Sequence, residues 1–234
     1  MLKAISFDFW NTLYDLQGEK DVSSVRVERL QRHIKTWGHE ASRGELMAMM
    51  QKTWTYASQV QREQGIDIGP RGQLSKLLQE LGLMPTPAQR EALQEDWDTV
   101  LLESPPVIKE GARETLAYMA GKYKVALICN TGASPGRVLR TFMTLDGIIG
   151  YFDVLIFSDE VNDAKPGAKI FERMLREVGV AANEAAHIGD DPVTDVGGSH
   201  AAGLTAIWLA PSQWVAPEGC DQRVSTLREL MELY

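Results

Sequence analysis

The sequence predicts an α/β fold: a three-layer α/β/α core on a parallel, doubly wound sheet, with an all-helical segment inserted after the first strand. Three observations carry that reading. Short continuous apolar runs recur at "KAISFDF", "KVALICN", "DVLIFSD", "AAHIGDD" and "LTAIWLA", and runs that do not alternate with polar residues mark strands covered on both faces. Helical stretches separate the last four of these runs. From about Asp21 to Leu102, by contrast, every periodic stretch is helical. An insert of roughly 85 residues, long enough to be a small domain, therefore interrupts the first crossover. Residues 1–15 and 103–234 are assigned to the core, and 16–102 to the helical insert.

Each element has its own justification. "VERLQRHIKTW" sets Val27, Leu30, Ile34 and Trp37 at steps of three and four, one apolar helical face. "GELMAMMQKTWTYASQVQREQ" reads as a long helix ending at Gly65, and "GQLSKLLQELG" stops at Gly82, a residue suited to a C-terminal cap. "TPAQREALQEDWDTVLLES" opens on Thr86 as cap and Pro87 in the first turn, and stops before Pro105-Pro106. Beyond it, "EGARETLAYMAGK", "SPGRVLRTFMTL", "AKIFERMLREVG" and "TDVGGSHAAG" are the helices that join the strands.

Composition narrows the function. With 44% hydrophobic residues in 234, a sizeable core is available. A net charge of −8 argues against a nucleic-acid partner. No apolar run approaches the ~18 residues of a membrane span, and the start "MLKAISFDFW" has neither the apolar core nor the cleavage site of a signal peptide. Two cysteines, Cys129 and Cys220, make no disulfide framework. The expectation is a cytoplasmic protein with a small-molecule substrate and no membrane partner. Oligomeric state is left open.

In a doubly wound sheet ligands bind at the carboxyl ends of the strands. The residues there are Asp8, then Cys129-Asn130-Thr131, then Lys165 ahead of a proline, then Asp190, Asp191 and Asp195 in "GDDPVTD". Singly, each has an ordinary structural reading: a turn or cap aspartate, a solvated lysine, a small buried cysteine. Together they put several mutually repelling carboxylates and one lysine at a single edge. Mg²⁺ with its oxygen ligands would compensate them.

These residues resemble the motifs of the haloacid dehalogenase-like (HAD) hydrolase superfamily, in which a Rossmann-like core carries a helical cap. "FDFWNT" matches the first motif, which implies Asp8 as nucleophile and Thr12 in support. Lys165 in its "KP…IF" context matches the third motif, and Asp190 with Asp195 matches the fourth. The insert after the first strand resembles a C1 cap. The resemblance implies Mg²⁺ held by Asp8, the Trp10 backbone carbonyl and Asp190, with Asp191 and Asp195 in support. Two positions depart from the family pattern. Cys129 stands where Ser or Thr closes the second strand, leaving Thr131 or the Asn130 amide to meet substrate. Trp10 stands where family phosphatases carry the Asp that protonates the leaving group and activates water.

Three readings follow. The first is a Mg²⁺-dependent phosphatase-type hydrolase, with Asp8 attacking phosphorus and Lys165 offsetting charge. The second is a metal-independent 2-haloacid dehalogenase, since family dehalogenases carry an aromatic residue at the Trp10 position. The third is a non-catalytic binding protein. His187, inside a strand, reads as a packed core histidine. Met47, Met49, Met50, Trp54 and Tyr56 read first as packing between helices and second as a lid lining. Arg26, Arg29, Arg32 and Arg43 read as solvated helix faces, with a substrate carboxylate as their alternative partner.

Overall fold

The computed structural model describes residues 1–16 and 21–234. Strand β1 (Ala4–Phe7) is buried throughout and leads past Asp8 to a short strand β2 (Tyr14–Asp15). Helices α1 (Val22–Thr36), α2 (Arg43–Gln64), α3 (Gly69–Glu80) and α4 (Pro87–Asp98) follow. The chain returns through β3 (Val107–Ile108), antiparallel to β2, into α5 (Ala112–Ala120) and β4 (Lys124–Cys129). Next come α6 (Gly136–Leu145), β5 (Val154–Phe157), α7 (Ser158–Val161), α8 (Ala168–Val178) and β6 (Ala185–Gly189). The chain closes with α9 (Gly198–Ala201), β7 (Thr205–Leu209), β8 (Gln222–Val224) and α10 (Leu230–Leu233).

The main sheet is parallel, in the order β5-β4-β1-β6-β7-β8. Side chains alternate across it: Ile5 and Phe7 join one apolar cluster with Leu127, Ile188 and Phe142, while Ala4 joins another with Ile128, Phe171 and Met174. Strand β4 lies on one side of β1 and β6 on the other. The chain order reverses there, and such a switch point opens a crevice at the carboxyl end of β1.

Side-chain caps fix the starts of three insert helices. Asp21 caps α1, accepting from Ser24 N–H at 2.9 Å, and Ser42 with Glu45 forms a capping box on α2. Thr86 and Gln89 do the same for α4, each such cap being worth ~1 kcal/mol. Val27, Leu30, Ile34, Leu74, Leu77 and Trp97 meet in an apolar cluster belonging to these helices. Trp37, placed on the same apolar face by its spacing, packs against that cluster as the C-cap residue of α1 and is partly buried.

Two expectations need correction. "TDVGGSHAAG" is not one helix: Pro192–Gly197 forms a π-type turn before α9. Asp191 causes this by accepting from Val193 and Thr194 N–H, both at 2.8 Å, which starts a wide turn where a strand has just ended. Strands β2, β3 and β8 were not anticipated, because two or three residues are too few to show a period.

The loop after α2 is stitched to the loop after α7. Ala164 N–H donates to Gly65 O at 2.9 Å, Asp67 N–H donates to Asn162 O at 3.2 Å, and Ile66 bridges Asp163. Gly65 is left-handed (φ 65°), and a Cβ added there would lie 2.9 Å from Gly167 Cα. Among the described residues no helix is long and apolar enough to cross a membrane.

Candidate active site

Asp8 leaves β1 with its N–H donated to Ile188 O at 2.9 Å, which fixes it against β6. Its carboxylate is buried, as is Lys165. Lys165 Nζ donates to Asp8 Oδ1 and to Asp195 Oδ1, both at 2.6 Å. The lysine is aimed by Asn130, whose Nδ2 donates to Lys165 O and whose Oδ1 accepts from Lys165 N–H, each at 2.9 Å.

The turn after β6 brings in the other acids. Gly189 is required there, since a Cβ would fall 2.2 Å from Asp195 Cγ. Asp191 N–H donates to Asp195 Oδ2 at 2.9 Å, and Trp208 Nε1–H donates to Asp190 O at 2.8 Å. His187 lies 3.2 Å from Asp195 Oδ1 through Nε2 and 2.8 Å from Ser6 Oγ through Nδ1. Burial lowers the His187 pKa, and a carboxylate only accepts. The neutral ring therefore donates from Nε2, and Nδ1 accepts from Ser6.

One carboxylate oxygen each from Asp8, Asp190 and Asp195 lies within 4.8 Å of the others. Burial pushes Asp8 up to about 7 against the pull of Lys165, with Asp195 and Asp190 adding to the rise. Burial, then Asp195, pushes Asp190 up to about 6. Asp195 goes the other way: burial opposes its ionisation, yet Lys165 and the His187 hydrogen bond hold it below the usual carboxylate range. Three acids thus share one ammonium, and their hard oxygen donors suit a divalent cation such as Mg²⁺.

A cavity of about 770 Å³ opens beside these groups. Trp10, Asn11, Asn130, Thr131 and Asp191 border it on the sheet side. Trp10 packs edge-on against Phe9, with centroids 4.8 Å apart. The second-motif side chains also have partners within the protein. Asn130 uses one Nδ2 hydrogen and its Oδ1 on Lys165, which leaves the second Nδ2 hydrogen at the cavity wall. Thr131 Oγ1 donates to Asp67 Oδ2 at 3.3 Å and shares that carboxylate with Ser158. Cys129 is buried in the sheet's apolar cluster, its thiol pushed up by burial and by Asp8, and the cavity wall begins one residue later. Thr12 is fully buried, its hydroxyl without a partner among the described residues.

The insert supplies the opposite wall. Met47, Met49 and Met50 pack on its apolar cluster, and Met50 with Trp54 also borders the cavity. Tyr56 is exposed. Arg29 and Arg43 pair with Glu103 and Glu28, whereas Arg26 borders the cavity. Sequence reasoning missed Arg62, whose Nη2 meets Asp191 Oδ2 at 2.5 Å, and the buried Asp67. Neither sits in a motif; only the packing of α2 against the strand ends reveals them.

A profile of haloacid dehalogenase-like hydrolases matches residues 2–203, and the chain belongs to that hydrolase family. It is 36% identical over 126 residues to pyrimidine 5'-nucleotidase YjjG of Escherichia coli, covering 53% of this chain and 55% of that protein. With phosphoserine phosphatase of Thermus thermophilus it shares 38% identity over 88 residues, 36% of this chain and 34% of that one. The chain thus spans about half, or less, of the length of these curated relatives. A 2-haloacid dehalogenase from Pseudomonas syringae superposes with a TM-score of 0.72 at 22% identity, covering 100% of this chain and 98% of that one. A HAD phosphatase from Thermococcus onnurineus gives 0.70 at 23%, covering 99% and 97%. At such identities these two establish the fold alone.

Proposed function

We propose that this chain is a Mg²⁺-dependent, phosphatase-type hydrolase of a small phosphorylated metabolite, with Asp8 as its nucleophile. The observation that carries this is the cluster of Asp8, Asp190 and Asp195 around one buried lysine. Asp8, the Trp10 carbonyl and Asp190, with Asp195 in support, would hold Mg²⁺, which when bound neutralises the carboxylates and the phosphoryl oxygens. Asp8 attacks phosphorus and the leaving group departs with its electron pair, giving an aspartyl phosphate that water then hydrolyses. Lys165 orients Asp8 and offsets charge on the phosphoryl oxygens. Trp10 has no proton to give an alkoxide, so acyl and aryl phosphates are the favoured substrates. Residues 16–102 act as a C1-type lid on a core of 1–15 and 103–234. Two features support this: the insert's separate apolar cluster and its share of the cavity wall. The two free cysteines support a reducing, cytoplasmic setting.

One observation favours 2-haloacid dehalogenation as a second reading: an indole, rather than a carboxylate, borders the cavity two residues after Asp8. A halide leaves as a stable anion and needs no acid. Hydrolysis of phosphate esters and of 2-haloacids, each with Mg²⁺ and with EDTA, separates the two. The first reading expects phosphate release that EDTA stops and Mg²⁺ restores. Undiminished halide release in EDTA would establish the second.

A further inference from the structure

The wall of the same cavity holds a buried cation. Arg26, on α1, is 8% exposed and borders the cavity beside Gln73, Trp97 and Ser134. Its Nη2 donates to Ala133 O at 3.1 Å and to Ser134 Oγ at 2.6 Å, and its guanidinium lies 5.5 Å from the Trp97 ring centroid. These partners are neutral; they orient the group without balancing its charge. Its Nε has no partner among the described residues, and no carboxylate of those residues pairs with it. Asp98 is close enough to be felt, but its carboxylate accepts from Gln94 Nε2 at 2.7 Å and Arg137 Nη2 at 3.1 Å. Arginine is seldom buried this far unpaired, because desolvating a lone charge is strongly unfavourable.

We propose that Arg26 binds a carboxylate of the substrate, at a point in the cavity separate from the reacting phosphoryl group, so that the substrates are small phosphorylated carboxylic acids. The phosphoryl half of this statement rests on the phosphatase reading of Asp8; the carboxylate half rests on Arg26 alone. One fixed guanidinium matches one carboxylate charge. A second phosphate would bring up to two charges and more acceptors than this wall can satisfy. Apolar walls from Trp54, Leu77, Trp97 and Leu101 suit the carbon frame between the two anionic ends.

Calorimetric binding of three non-hydrolysable probes, with Mg²⁺ present, tests the assignment: phenylphosphonate, 3-phosphonobenzoate and benzene-1,3-diphosphonate. The wild type should bind 3-phosphonobenzoate about ten- to a hundredfold more tightly than phenylphosphonate, the range expected of a charged hydrogen-bonded contact. Arg26→Gln should bring that ratio to about 1, and Arg26→Lys should keep part of it, with thermal melts verifying the fold of each. Equal affinities in the wild type, or an unchanged ratio in folded Arg26→Gln, would overturn the proposal. Tightest binding of the diphosphonate would overturn the carboxylate in favour of a phosphate. If Arg26→Gln does not fold, Arg26→Lys carries the comparison. Should no phosphonate bind, benzoate against benzamide poses the same question without a phosphoryl group. A preference for benzoate, or a preserved preference without turnover of 3-carboxyphenyl phosphate, would fault the phosphatase reading and leave Arg26 standing.

Discussion

At the strand ends, Asp8, Asp190 and Asp195 surround one lysine, and the surplus is negative. On α1, Arg26 meets only neutral acceptors, and the surplus is positive. The first region is built from backbone turns whose geometry leaves little choice: Gly189 admits no side chain, Asn130 grips Lys165 on both sides, and Asp191 caps the turn. The second region is one side chain on a helix, held by a loop. The difference shows where each kind of requirement sits. On the proposed function, chemistry common to many substrates would be written into the sheet, and selectivity among them into a wall that can be exchanged without rebuilding the sheet.

The comparison breaks most sharply at Asp8. Asp8→Asn keeps the shape and removes the proposed nucleophile, so turnover should fall by several orders of magnitude while the thermal midpoint stays near wild type. Retention of more than about a tenth of the activity would take Asp8 out of the mechanism. Trp10→Asp should gain where Asp8→Asn loses. Restoring an acid–base group should raise hydrolysis of an alkyl phosphate by ~10²-fold or more, and of an aryl phosphate by less. A well-folded Trp10→Asp protein with no gain on any phosphate ester would tell against the phosphatase reading.

Lys165→Met tests the same region through stability. It leaves Asp8 and Asp195 buried without their ammonium, and a loss of ~3–5 kcal/mol in urea unfolding is expected. The smallest effect belongs to Asp159, half-buried at the head of α6, where its carboxylate accepts from Gly136 N–H at 3.2 Å. Burial raises its pKa from 3.8 to about 6, against that hydrogen bond. Between those values the folded protein binds the proton more tightly than the unfolded chain, so stability is lost as pH rises from about 4 to about 6. Asp159→Asn should gain stability over wild type at pH 7 and lose that advantage at pH 4, as urea midpoints would read. An advantage that is the same at both values would show that Asp159 is not perturbed.

The five longer strands of the sheet were legible as continuous apolar runs, and the four insert helices by their apolar period and the cap or stop residues at their ends. So were Asp8, Lys165, Asp190 and Asp195, which stand at or beyond the carboxyl ends of strands in a recognisable order. Roles that depend on where a side chain turns were not legible. Asn130 and Thr131 do border the cavity, but that Asn130 also spans the Lys165 backbone, and that the Thr131 hydroxyl also reaches Asp67, 64 positions away in the chain, left no local trace. Arg26 looked like any arginine on a helical face. Its burial comes from the packing of α1 over the loop at Ala133 and Ser134, a tertiary event with no local signature.

The contact between Gly65 and Gly167 carries this into genetics. Gly167 has an ordinary negative φ, yet a Cβ there would sit 2.9 Å from both Gly65 Cα and Ala164 O, two residues from Lys165. Relief could come only from backbone that the lysine loop and the end of α2 hold in common. An alanine scan would therefore score these two positions as if they touched the reaction, though neither has an atom to contribute to it. Variants that exchange the helical segment for another would have to carry Gly65 along, which makes this pair the junction at which such chimaeras succeed or fail.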